Sequence, residues 1–414
     1  MKFLFFGLIV MVAIQFSFGK TITVCMNCEV STLKEAIELA ADGDVILVKS
    51  GTYNESNLII MKSITIKGEN QPVVDGQRQG EIFRIGADGV TLDGLTVKNV
   101  GKSYTTDFAA IRIVESKNFV IKNMVLEEPF FGIYLQKSHH GKILNNKVIG
   151  SAKSEFDAGN AIHLWYCTHI EINGNHVQGV RDGIYLEFSD DVLIKNNYSK
   201  GNVRYGLHFM FSNNDVYENN IFESNDAGVA VMYSKGIDMH YNTFKENWGS
   251  ASYGLLLKEI SDSKITHNTF RNNTVGITAE GGNRVEFTHN DFISNGWAVK
   301  VKGACYYNIY TNNNFLYNSF DLAYDGGMNQ NKFENNYWSD YTGYDLDRDG
   351  IGDVPYRPVK LFSYVVNRVP EGIILLRSIF TDLLDFSEKV SPVFTPDKLM
   401  DEKPRMKKID HDRN

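Results

Sequence analysis

Proline is scarce in this sequence, eight residues in 414, and cysteine scarcer still at four. Set against thirty-five glycines, so few prolines suit many tight turns between short strands. No basic stripe interrupts a chain with 42 basic and 50 acidic residues and a net charge of -8, which excludes a nucleic-acid role. No apolar run long enough to cross a bilayer follows the first nineteen residues, so no later membrane span is expected. Cys167 and Cys305 fall about six repeat units apart, or about 30 Å at the usual strand spacing, too far to pair. They are expected to be free thiols. Cys25 and Cys28 form a CMNC pair that reads as a cap disulfide or two plain thiols, with a redox or soft-metal site as the sharper alternative.

What is present is a repeat. Gly206, Gly228 and Gly254 open successive copies of one pattern, and Gly132, Ala161, Gly183, Gly276 and Ala298 continue it on both sides, mostly in steps of 22 or 23 residues. Such a period marks a solenoid whose coils bury their apolar faces only against one another. A second strand in each unit ends at Asn175, Asn197, Asn220, Asn242, Asn268 and Asn290, which predicts a hydrogen-bonded asparagine ladder with stacked aromatics just after it. The expected fold is all-β: a right-handed parallel β-helix of about thirteen coils over 45–340, with an N-terminal capping helix and a C-terminal amphipathic helix.

The flanks divide accordingly. Residues 1–19 read as a signal peptide, with Lys2, an apolar run from Phe3 to Phe16, and small residues before Lys20. Residues 20–44 form the cap, in which Thr32 and Glu35 are spaced as a capping box for a helix over 31–41 that plugs the open end. Residues 341–369 are an acidic loop and extended segment, and 370–414 an amphipathic helix with a flexible tail from Ser387. Ile373, Leu376, Ile379, Phe380 and Leu383 lie on the stripe of that helix, to be buried on the solenoid's end, on a partner or at a membrane surface. Few basic residues flank the stripe, which disfavours lipid.

Strand alternation sends Ile184, Leu207, Val229 and Leu255 inward with Leu186, Phe209, Val231 and Leu257. The outward columns then run Tyr134, His163, Tyr185, His208, Ala230 and Gln136, Trp165, Glu187, Met210, Met232, Lys258, Glu280. Met210 and Met232 share a position in adjacent coils, with His208 two residues away. Two thioethers and an imidazole make a soft site suited to Cu(I), whereas the plain alternative is a docking patch. Asp345, Asp347, Asp349 and Asp353 have the first, third, fifth and ninth spacing of a calcium loop with Gly350 at its sharp turn, although Tyr356 stands where a bidentate Glu belongs; a hydrogen-bonded acidic turn is the alternative to bound, structural calcium. His267 over His289, stacked just before the ladder on a different face from His208, is a second and weaker candidate site, with solvated turn histidines as the plain alternative.

GDVILVKSGTY, RYGLHFMFS, GVAVMYSKG, YGLLLKEISDS, NGWAVK and NNYWSDYTGYDLDRDGIGDVPYRP together resemble the NosD family over nearly the whole mature chain. The resemblance implies an exported, periplasmic, non-enzymatic β-helix that assists copper-sulfur cluster assembly in nitrous oxide reductase. Its partners would be an ABC transporter (NosF ATPase and NosY membrane subunit), the copper lipoprotein NosL and the apo-reductase, and His208, Met210 and Met232 become copper-handling candidates.

The rival class is a carbohydrate-active β-helix: a polysaccharide lyase, hydrolase or epimerase, or a carbohydrate-binding solenoid. Hydrolysis needs two nearby carboxylates, and Glu187 and Glu280 are about four coils or 19 Å apart. The outward aromatics Tyr134, Trp165 and Tyr185 make a short binding stripe only.

Overall fold

Each coil contributes three short strands, and the computed structural model stacks like strands into three parallel sheets of fourteen, thirteen and twelve strands. It describes residues 19–103, 105–325, 330–376, 378–390 and 399–411. The export segment expected over 1–19 lies outside them but for Gly19. Sheet A runs from Thr21–Val24 to Lys332–Glu334, sheet B from Thr52–Asn54 to Tyr337–Trp338 and sheet C from Leu58–Ile60 to Phe320–Asp325. The parallel β-solenoid expected from the repeat is what the chain forms.

The inward columns of sheet C, including Ile184, Leu186, Leu207, Phe209, Val229 and Val231, are fully buried. The aromatics after the ladder stack through the interior: Phe222, Phe244, Phe270, Phe292, Phe315 and Trp338 follow one another with ring centroids 4.0 to 5.4 Å apart. Burying a ring of this size stabilises by roughly 2–3 kcal/mol, and in a solenoid each coil repeats the gain.

The asparagine ladder turns the chain from sheet A to sheet B. Each Oδ1 accepts from the backbone N–H and the Nδ2 of the preceding coil's asparagine, as Asn220 does from Asn197 at 2.9 and 3.0 Å. Residues just before the ladder, among them Asn196, Asn219, Tyr241, His267 and His289, adopt positive φ of 54–58° to make the corner. A second ladder, Asn202, Asn225, Asn247, Asn273, Asn295 and Asn318, turns the chain from sheet B to sheet C. That one escapes the sequence reading.

At the N-terminal end, Thr21–Val24 pairs with Val45–Val48, and the helix Leu33–Leu39 closes the core with Leu33, Ala36 and Ile37. Thr32 caps it by accepting from the Glu35 N–H at 3.2 Å. Cys25 and Cys28 are disulfide-bonded in this cap, whereas Cys167 and Cys305 are free and buried.

The C-terminal part departs from expectation in two ways. The expected C-terminal amphipathic helix is present but shorter, as Ile379–Val390, and is preceded by a helix Leu361–Arg368 and a 3-10 turn Pro370–Leu375, so the extended segment ends earlier. Phe362 and Val366 pack on Val275, Trp297, Phe320 and Ala323, which lays the first helix across the outer face of sheet C. The tail is also not free: residues 399–411 fold back on the last coils, with Leu399 and Asp401 buried and bridges from Asp401 to Phe333 and from Arg405 to Tyr337. The last coil would otherwise expose its core and strand edges, and the tail covers them. No helix among the described residues is long and apolar enough to cross a membrane.

Candidate functional site

Six-residue strands such as Tyr205–Met210 and Ala227–Met232 give sheet C its broad outer face. Register places Glu187, Met210, Met232, Lys258 and Glu280 side by side in successive strands. Met210 and Met232 therefore sit about one strand spacing, roughly 4.8 Å, apart, each half-buried. The same register leaves four spacings between Glu187 and Glu280, so these two carboxylates do not share a site.

His208 requires a correction. Its column was expected to face solvent, yet His208 and His163 are only 6% and 8% exposed. The outer face carries a second layer: Arg112 lies over the Tyr134 ring and pairs with Glu81, while Arg204 lies over Tyr205 and pairs with Asp182. The rings of Tyr185 and Tyr205 pack on His208 at 5.0 and 4.7 Å. The signal for this layer is in the spacing, because the steps from Gly132 to Ala161 and from Gly228 to Gly254 are longer than the rest. The extra residues build turns whose Asn160 contacts Arg181 and His163.

Both ring nitrogens of His208, and Nε2 of His163, are buried without a hydrogen-bond partner. Burial pushes the His208 pKa down to about 4, against the pull of Asp182 and with the help of Arg204. Burial, then Arg181 and Arg112, push His163 down to about 3. Both imidazoles are therefore neutral at pH 7, the form that binds a metal without first losing a proton. Beside the methionines runs a feature missed by the column reading. Tyr166, Phe188, Phe211 and Tyr233 stack in successive coils with centroids 4.7 to 5.2 Å apart and planes within 17°. Each is 36–45% exposed. Rings stacked on one another along the row use their faces internally, so this ridge presents edges rather than a platform for sugar rings.

The acidic loop comes together in part. Carboxylate oxygens of Asp345, Asp347 and Asp349 lie within 4.8 Å of one another, an exposed cluster able to hold a cation. Gly350 makes the sharp turn at φ +87°. Asp353 is not in the cluster: its Oδ2 accepts from the Leu346 N–H at 2.7 Å. Tyr356, at the position of the missing Glu, turns its hydroxyl to Asp321 at 3.3 Å instead. Of the stripe residues, Ile373, Ile379, Phe380 and Leu383 are 49–79% exposed, while Leu376 packs on the Trp297 and Phe320 cluster.

The family model described as periplasmic copper-binding protein (NosD) matches residues 151–343, the coils that carry this face. Over that stretch the chain is similar to the NosD family. A relative from Pseudomonas aeruginosa named as a probable ABC transporter binding protein NosD is 28% identical, covering 90% of this chain and 91% of that protein. A Stutzerimonas stutzeri relative of the same name is 27% identical over 86% of each. Among solved structures, the Yersinia enterocolitica family 28 exopolygalacturonase aligns with a TM-score of 0.58 at 10% identity, covering 77% of this chain and 78% of that one. The A-module of the Azotobacter vinelandii mannuronan C-5 epimerase AlgE4 aligns at 0.55 with 12% identity, over 72% and 91%. At such identities the likeness of this chain to carbohydrate-active enzymes is one of fold alone.

Proposed function

We propose that the protein is a periplasmic, non-catalytic accessory of an ABC transporter in denitrification, and that it assists copper-sulfur cluster assembly in nitrous oxide reductase by handling copper as cargo on the outer face of sheet C. The observation that carries this reading is His208: a buried, neutral imidazole with both nitrogens unpartnered, two residues along the strand from Met210, whose neighbour in the next coil is Met232. Thioether and imidazole are soft and borderline donors that suit Cu(I), and thioethers persist where thiols oxidise. Tyr205 packs on the imidazole and has to swing aside for copper to enter.

Partners follow from the same reading. The transporter's membrane subunit (NosY), with its ATPase (NosF), takes the exposed stripe of Ile373, Ile379, Phe380 and Leu383. The lipoprotein NosL delivers copper to the methionine face, and the apo-reductase receives it there. Calcium at Asp345, Asp347 and Asp349 serves to stiffen the loop, with Asp353 holding its backbone rather than the ion.

Anaerobic Cu(I) titration against a competing chelator tests the central claim, using the mature protein beside a His208→Ala, Met210→Leu, Met232→Leu variant. Tight binding that the variant loses supports copper handling on this face. Equal binding in both, or none in the wild type, overturns it and leaves the methionines as a docking surface.

A further inference from the structure

The folded-back tail brings a third histidine to the pair at the asparagine corner. His267 and His289 occupy the same turn of adjacent coils, their rings stacked at 4.8 Å and 4°. His411 lies 5.5 Å from His289 and 6.4 Å from His267, its ring nearly perpendicular to both. Its place is fixed by Asn314, whose Oδ1 accepts from the Ile409 N–H and whose Nδ2 donates to the Ile409 carbonyl, each at 2.9 Å. Among the described residues, no protein hydrogen bond engages the ring nitrogens of His267 or His289.

We propose that His267, His289 and His411 form a three-imidazole site for a borderline divalent cation such as Zn(II), separate from the thioether face. Three imidazoles around one ion, each bonded through nitrogen at about 2.0–2.1 Å, have ring centres about 5 Å apart. The observed separations are 4.8, 5.5 and 6.4 Å, and the ring nitrogens of the three do not all lie within 4.8 Å of one another, so the rings have to rotate toward a common point to complete the site. His411 Nε2 exchanges its contact with the Asn312 carbonyl, now 3.0 Å, for the ion. Its Nδ1, 3.3 Å from Asp291 Oδ1, stays on that carboxylate, which sets the tautomer and aims the ring as carboxylates do behind metal-bound histidines. Burial, and then the neighbouring histidines, depress the pKa of both His267 and His289, which agrees with neutral donors. Three nitrogens with a carboxylate behind one of them select Zn(II), Co(II) or Cu(II) over the hard cations that an aspartate loop prefers and over the Cu(I) that thioethers prefer. The ion would tie the tail to two coils of the solenoid.

Calorimetry with Zn(II) and visible absorption with Co(II), on the untagged mature chain, test this. One ion should bind per chain, with the intense Co(II) bands of four-coordination. His289→Gln and His411→Gln should each weaken Zn(II) binding at least tenfold, and Asp291→Asn by about tenfold. Met210→Leu with Met232→Leu, and Asp347→Asn, should leave it unchanged. Circular dichroism checks that every variant is folded. Zn(II) binding by the histidine variants equal to the wild type overturns the proposal, as does wild-type Co(II) with only weak six-coordinate bands.

Discussion

Asp401 takes the place that the next asparagine would hold after Asn336. Its Oδ2 accepts from the Asn336 backbone N–H and from Asn336 Nδ2, each at 3.0 Å, across a separation of 65 residues. It also accepts from Trp338 Nε1 at 3.0 Å. A ladder in which every member needs an acceptor ahead of it is thus ended by a side chain from the tail. The tail is accordingly part of the solenoid.

Removing that acceptor should be costly. Asp401→Ala strands three buried donors and is expected to lower stability by about 2–4 kcal/mol in urea unfolding. Asp401→Asn offers the amide oxygen the ladder uses elsewhere. Because burial already raises the Asp401 pKa, the neutral amide should come within about 1 kcal/mol of the wild type.

The interior aromatic stack makes a second prediction. Phe270 is fully buried between Phe244 and Phe292. Phe270→Ala should cost about 3–5 kcal/mol and Phe270→Leu markedly less, read from the same urea midpoints.

Stability should fall with acid through His163 and His208. Their folded pKa values, about 3 and about 4, lie below the unfolded value of 6.5, so the unfolded chain binds more protons in between. The stability they confer is complete above 6.5 and is lost as pH falls through the folded values. A His163→Phe, His208→Phe variant should lose less stability than the wild type between pH 7 and pH 4.

Asp321 should act in the opposite direction. Burial first, and then Asp340, raise its pKa from 3.8 to about 6, opposed by Lys360 and by bonds from Asn318 and Tyr356. Its contribution is complete below 3.8 and is lost as pH rises through 6. Melting temperatures at pH 5 and pH 8 should therefore drop more for the wild type than for Asp321→Asn.

Transporter docking is tested by charge rather than by truncation. Deleting 370–414 also removes Asp401 and the cap it provides, so loss of the complex would be ambiguous. Ile379→Asp with Leu383→Asp, on residues 79% and 61% exposed, should leave unfolding unchanged and abolish co-purification with the transporter. A retained complex would rule out this stripe as the docking surface.

The inward columns, the ladder from Asn175 to Asn290 and the aromatics after it were legible in the residues. In a solenoid the unit that repeats in sequence is also the unit that packs, so periodicity reports the third dimension directly. Met210 beside Met232 was legible for the same reason. The burial of His208 was not, because it depends on residues outside the repeat: Arg204, Tyr205 and the longer turns that rise over sheet C. A column shows which way a side chain leaves the strand and is silent on what arrives to cover it.

The sequence by itself determined the coil, its register, the N-terminal helix and the spacing of the soft donors, all set by contacts between near neighbours or successive repeats. Only the tertiary structure decided what the non-repeating ends do. It brought Asp401 to the ladder, His411 to His267 and His289, and Phe362 to the outer face of sheet C. The charged composition of the tail suggests disorder, but a few residues matched to one unsatisfied edge suffice to order it. Such a match lies between the last coil and residues 60 to 100 positions away, where no periodicity reaches.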